Sequence, residues 1–302
     1  MRIVSKFFQA ALGLCVATSA QAFSVFACEP EWAALTKALF PEAQVVSATS
    51  AQQDPHHIEA RPSLIAQLRR ADLAVCTGAS LEAGWLPMLQ ERAGNAKVQN
   101  GQPGMFYAAE FVSLIDPHRG AVTPFSGDVH PEGNPHIHAD PRRVLQVARA
   151  LADRLGQLNP NAASAIAARH TKFHESFSLK IAQWERAAQP LKGRAVVTQH
   201  ASLGYLWQWL QIKPVADLEP KPGMAPTPGH LERLRTQLKQ SPASAIVIAQ
   251  HHDKRPAQWL AQQEVGKAMP LIILPATVTD VSPESLAAWF DGIIATLTTQ
   301  MK

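Results

Sequence analysis

Two stretches of this chain place histidine directly after proline in turn-like sequence, each with an acidic residue close behind. They are DPHHIEARPS over Asp54–Ser63 and GNPHIHADP over Gly133–Pro141. Imidazole is the commonest neutral metal ligand, and a nearby carboxylate can fix the ring's orientation. A third stretch, TQHASLGYLW over Thr198–Trp207, contributes His200. Histidines so far apart in sequence can share a metal only if the fold brings distant loops to one point. Three neutral imidazoles suit Zn²⁺, Cu²⁺ or Ni²⁺, and suit hard Mn²⁺ or Mg²⁺ less well. A lone histidine in a turn is more often a solvated polar residue, so it is the repetition of the pattern that points to a metal.

The remaining histidines carry less. His57 and His138 merely flank the signatures, and His118 and His130 lie in a loop. His170 and His174 stand one turn apart on a helical stretch, which fits a helix-surface pair better than a metal site. Trp184, Trp207, Trp209, Trp259 and Trp289 fall in apolar helical patterns and read as core.

The elements that must position these turns alternate in an α/β rhythm. Ser24–Ala27, Gln44–Ser47 and Asp72–Cys76 read as strands; Glu31–Leu39, Pro62–Arg70 and Leu81–Glu91 read as helices. Strand–helix–strand units of this length favour a parallel, doubly wound sheet, in which ligands sit beyond the carboxyl ends of the strands. A loop over Asp116–Pro135 leads to helix Pro141–Leu158, broken by Asn159-Pro160. A long helix over Ala162–Ala188 follows, and then the pattern restarts. Strands are expected over Arg194–Thr198, Ala245–Ala249 and Leu271–Leu274, with helices over Tyr205–Trp209, Thr227–Lys239, Arg255–Gln262 and Pro283–Thr298. Thr227 is an N-cap with Pro228 at the first helical position.

The first residues read as a cleavable export signal. Arg2 and Lys6 precede the apolar stretch Phe7–Ala17, and Ala20-Gln21-Ala22 is a small-x-small cleavage site. Phe26 fits poorly two residues before a lipidated Cys28, so the expectation is a soluble, unlipidated protein of the periplasm. Cys28 and Cys76 each follow an apolar stretch. If those stretches are neighbouring strands, the two can form a disulfide in an oxidising compartment; two small buried residues is the alternative. The formal charge of +4 is small for 302 residues and there is no long Lys/Arg cluster, which argues against nucleic acid as a partner.

With these residues in place, the chain resembles the periplasmic solute-binding proteins of zinc/manganese-type ABC importers, the cluster A-I metal-binding family, over essentially its whole mature length. Asp54-Pro55-His56 with Glu59, Pro62 and Ser63 is similar to that family's first ligand loop. Asn134-Pro135-His136 with Asp140-Pro141 is similar to the second. Thr198 through Tyr205 resembles the third, where His200 stands as in zinc-type members. Glu219-Pro220 with Pro226 and Thr227 resembles a further family stretch.

The resemblance implies an α/β fold of two lobes, each a mostly parallel sheet flanked by helices, joined by one long backbone helix. The expected division is 1–22 signal, 23–159 N-terminal lobe, 160–190 linking helix and 191–302 C-terminal lobe. It implies a monomer that captures Zn²⁺ as cargo between the lobes through His56, His136 and His200, and delivers it to a membrane permease rather than catalysing a reaction. Glu59 and Asp140 are the expected carboxylate partners of the ligands, with Asn134 bracing its turn.

The chain departs from the family at the fourth ligand, usually a carboxylate of the last lobe. Asp280 falls later than expected. His251 and His252, which follow a strand, stand slightly ahead of it; His130 and a water are the other candidates. Two other functions compete with import. In a secreted zinc hydrolase, Glu59 would be the general base, but no HExxH helix or nucleophile motif supports it. A periplasmic metal chaperone without a permease would share the same fold and site.

Overall fold

The computed structural model describes residues 22–121, 126–263 and 268–301. Residues 1–21 of the expected export signal therefore lie outside the described residues. Among the described residues the chain builds two four-stranded, wholly parallel sheets. The first contains β1 (Ser24–Ala27), β2 (Gln44–Ser47), β3 (Leu73–Cys76) and β4 (Met105–Tyr107), in the order β2-β1-β3-β4. The second contains β5 (Ala195–Thr198), β6 (Lys213–Asp217), β7 (Ala245–Ala249) and β8 (Leu271–Leu274), in the order β6-β5-β7-β8. The two orders match, so each half repeats one winding. In both, the first strand of the half lies at the centre, between a later strand and an edge strand.

Alternation along the strands sets the layers. Val25 and Ala27 face one core while Phe26 faces another, as the two-residue period of a strand requires. The outer face of the first sheet packs on α2 (Pro62–Arg70) and α3 (Leu86–Ala93), through Leu64, Leu68, Leu86 and Leu89. The outer face of the second packs on α7 (Pro228–Gln240) and α8 (Lys254–Ala261). Between the sheets lies one shared core. It takes in α1 (Pro30–Leu39), α4 (Pro141–Leu158), α6 (Gly204–Leu210) and α9 (Ser285–Gln300), with inner residues of both sheets.

The long helix α5 (Ala163–Ala187) runs through this layer, packed against α1, α4 and α9. Its 25 residues span about 37 Å at 1.5 Å per residue. It buries only Ile166, Phe177, Ile181 and Trp184. Trp184 donates its indole proton to Asp291 at 2.7 Å and lies 4.9 Å from Phe290, ring to ring, so α5 is tied to α9 by a polar and an aromatic contact.

Two strands were not foreseen from the sequence, β4 and β6, and both are sheet edges. β4 is three residues long. β6 contains Pro214, and its pairing with β5 shifts register between Val196 and Val197. Proline cannot donate to a ladder, so it is tolerated at an edge or a bulge. The helix expected over Leu81–Glu91 starts only at Leu86, because Ala79 and Ser80 adopt positive φ of 49° and 64° and turn the chain first. Cys28 and Cys76 sit side by side at the ends of β1 and β3, Cα atoms 4.7 Å apart, and form a disulfide.

Candidate metal centre

The three histidine turns reach one point by different local means. His56 lies in the loop after β2. Its backbone N–H donates to the Asp54 carboxylate at 3.0 Å, closing an Asx turn, and the Trp85 indole pins the loop through the Pro55 carbonyl at 2.9 Å. His136 is held by the same device: its N–H donates to the side-chain oxygen of Asn134 at 2.9 Å. His200 follows β5 directly, with a positive φ of 63° that is uncommon for a side chain of this size. Its N–H donates to Asp217 at 3.2 Å, so the neighbouring strand β6 holds the strained residue in place.

One ring nitrogen from each of His56, His136 and His200 lies within 4.8 Å of the other two, and all three residues are buried. The Nδ1 atoms of His56 and His200 are already engaged, by Asp54 at 2.6 Å and by Glu219 at 3.0 Å. That leaves Nε2 to face the common point. The Nε2 atoms of His136 and His200 are buried without a hydrogen-bond partner. Buried polar atoms are rarely left so, and a cation at the point of convergence would satisfy both.

The electrostatics push two of these histidines in opposite directions. Burial, reinforced by the surrounding histidines, holds His136 well below the ordinary histidine value. Burial also acts on His200, but the Glu219 carboxylate overcomes it and raises that histidine. Burial likewise works against an ionised Asp54, yet its hydrogen bond to His56 brings the carboxyl well below the usual range.

Among the candidates for a fourth donor, His130 stands nearest. Its Nε2 is 3.1 Å from the Nε2 of His56, and burial depresses it to about 4. The ring of His252 is 6.4 Å from that of His200, with His251 beside it on the cavity wall. Asp280 is exposed on the stretch after β8. Glu59 is also exposed and bonds no histidine through its side chain; the carboxylate on His56 is Asp54, because the Asx turn folds Asp54 back onto the ring. Asp140 is fully buried, but it caps α4 and pairs with Arg142 and Arg143 instead of orienting a site histidine. Asn134 does brace its turn, and it also donates to the Ala201 carbonyl at 2.9 Å. His138 is occupied on both ring nitrogens, by Glu31 at 3.1 Å and the Ala276 carbonyl at 3.0 Å.

Sequence reasoning missed two carboxylates. Asp54, two residues before His56, was open to discovery as an Asx turn. Glu219 was singled out only as part of a family stretch and not as the partner of His200, which it reaches through the pairing of Thr198 with Asp217 across β5 and β6. The cavity over the histidines measures about 170 Å³. Pockets for drug-sized organic ligands are typically about 300–1,000 Å³, so this one is small.

Comparison with known proteins points to one family. The family model described as "Zinc-uptake complex component A periplasmic" matches residues 25–300. The high-affinity zinc uptake system protein ZnuA of Yersinia pestis is 25% identical over 203 residues, 64% of this chain and 64% of that protein. A crystal structure of ZnuA superposes with a TM-score of 0.73 at 17% identity, covering 93% of this chain and all of that one. The solute-binding protein FpvC of Pseudomonas aeruginosa, in complex with Ni²⁺, gives 0.72 at 18% identity, covering 93% and 97%. These likenesses confirm the two-sheet fold. With the family model matched from the first strand to the last helix, the chain belongs to the ZnuA family of periplasmic zinc-uptake components, which are metal-binding solute-binding proteins and not enzymes.

Proposed function

We propose that this protein captures Zn²⁺ in the periplasm through the Nε2 atoms of His56, His136 and His200 and delivers it to the permease of an ABC importer. The observation that carries this reading is the convergence of three buried imidazoles, two of them with orphaned Nε2 atoms. The sets come from both sides of α5: His56 and His136 from the half built on the first sheet, His200 from the other. We take residues 23–159 and 191–302 as the two lobes and 160–190 as their link. His130 serves as the fourth donor, since it already meets His56. An all-imidazole set favours zinc over manganese. FpvC has been solved with Ni²⁺ and with Mn²⁺, so the fold by itself does not fix the metal. The leader over 1–22 supports export, and the protein acts as a monomer.

Isothermal titration of the metal-free protein with zinc tests the site. One equivalent is expected to bind, and His200→Ala is expected to lose at least tenfold in affinity. Equal affinity in the variant would overturn the ligand set. Zinc-dependent growth of a strain lacking the protein, rescued only when the cognate permease is present, tests delivery.

A further inference from the structure

The bridged cysteines have a neighbour that a structural staple does not require. Glu82, on the turn after β3, brings a carboxylate oxygen so close that it and both sulfurs lie within 4.8 Å of one another. All three residues are buried; Cys28 and Cys76 are 0% exposed and Glu82 is 3% exposed. The Glu82 carboxylate is fixed by the backbone N–H groups of Thr77 at 2.6 Å and Gly78 at 3.0 Å. Glu29, 3% exposed, shares the Thr77 donor through one oxygen at 3.2 Å and faces the Glu82 carboxylate itself; its other oxygen, Oε1, is buried with no N–H or hydroxyl donor.

Two sulfurs and one or two carboxylate oxygens form a donor set that suits a small, borderline-soft divalent cation. In tetrahedral sites Zn–S is about 2.3 Å and Zn–O about 2.0–2.2 Å, which puts ligand atoms roughly 3.3–3.8 Å apart. That spacing lies within the 4.8 Å envelope once the sulfurs are no longer bonded. Thiolates select Zn²⁺ and its heavier congener Cd²⁺ over Mg²⁺, Ca²⁺ or Mn²⁺.

We propose that the dithiol form of this chain carries a second metal site, made by Cys28, Cys76 and Glu82, which takes Zn²⁺ or Cd²⁺ and is closed by disulfide formation. The site is independent of the histidine centre. Opening it consumes one two-electron reductant. A dithiol passes two electrons and two protons to the bridge and becomes a disulfide, leaving Cys28 and Cys76 as thiols. The incoming M²⁺ then displaces both thiol protons to solvent and bonds the two thiolates. In the reverse direction, a disulfide-donating oxidoreductase takes the electron pair from the thiolates, the S–S bond re-forms and M²⁺ departs. Metal occupancy and oxidation therefore compete for the same sulfurs.

The test uses the mature chain, residues 23–302, which leaves out Cys15 of the leader, prepared oxidised and, separately, fully reduced with a phosphine, with Cd²⁺ as the probe. The ultraviolet thiolate-to-cadmium charge-transfer band reports this site alone, since imidazole ligands do not produce it. The reduced protein, with its native circular dichroism retained, is expected to develop the band with saturation at one equivalent beyond the single equivalent taken by the oxidised form. The band is expected to persist in His200→Ala, so failure of the histidine centre and failure of this one are distinguishable. Glu82→Gln is expected to weaken cadmium binding here tenfold or more, and the double variant Cys28→Ala/Cys76→Ala to abolish the band. A folded, reduced chain without the band, a band seen only after the fold is lost, or an unchanged Glu82→Gln titration would each overturn the proposal.

Discussion

The Tyr205 hydroxyl donates to the backbone carbonyl of Asn134 at 2.6 Å and accepts the Ile115 N–H at 3.2 Å. Helix α6, which follows His200, thereby grips the turn that carries His136. Tyr205→Phe leaves the buried Asn134 carbonyl and the half-buried Ile115 N–H short of a partner, at a cost of about 1–3 kcal/mol. Urea unfolding should show a lower midpoint with an unchanged slope, and zinc affinity should fall severalfold because two ligands lose their mutual anchorage.

Asp54 and Glu59 offer a paired test of which carboxylate orients His56. Outer carboxylates on metal-bound histidines are typically worth about 10- to 100-fold in affinity. Asp54→Asn should weaken zinc binding within that range, whereas Glu59→Gln, exposed and unbonded to any histidine, should leave the isotherm unchanged.

Zinc binding should weaken as pH falls, since a protonated imidazole cannot ligate. His200 protonates before His136, because Glu219 favours its charged form while burial keeps His136 neutral. Affinity is therefore full above the His200 titration and lost through it. In Glu219→Gln that support is gone, so competition titrations across pH should show the loss displaced to lower pH.

Burial and mutual repulsion raise Glu29 well above its ordinary value, and burial raises Glu82 to about 7. A carboxyl with a raised folded value holds its proton more tightly when folded. Its stabilisation is full below the unfolded value of 4.5 and is lost as pH rises through about 7. In the oxidised protein, Glu82→Gln imitates the protonated acid. Its amide nitrogen cannot accept the second backbone N–H, so its Tm starts lower, but the drop that the unmodified chain shows as pH rises through about 7, at least about 2–4 °C for each kcal/mol in a protein of this size, should be absent.

Zinc at a hundredfold excess over Kd should add about 2.7 kcal/mol to stability. Thermal scans with and without zinc should show this as an increase of several degrees, and His136→Ala should abolish the zinc-dependent increment whatever it does to the metal-free Tm.

Much of the fold could be read from the chain, because six of the eight described strands are short apolar runs bounded by turns. β4 and β6 escaped because edges tolerate what centres do not: three residues in one case, a proline and a register shift in the other. The histidine turns were legible through the Asp-Pro-His and Asn-Pro-His sequences, whose first residues make the observed Asx bonds. The partners were harder. Glu59 looked right by distance in sequence, yet Asp54 occupies the position through a bond within its own turn. Glu219 is 19 residues from His200 and meets it only because β5 and β6 are neighbours. His130 likewise depends on how a long loop folds over the site.

The core between the sheets draws residues from Val25 at one end of the chain to Met301 at the other. Neither half owns that interior. Cutting the chain within α5 would strip apolar surface from both products at once, so the fragments would not fold as separate units. The intact protein should melt in a single calorimetric transition, with van't Hoff and measured enthalpies in agreement. Every substitution in that layer, however far from the histidines, then draws on the same reserve of cooperativity that holds the metal centre together.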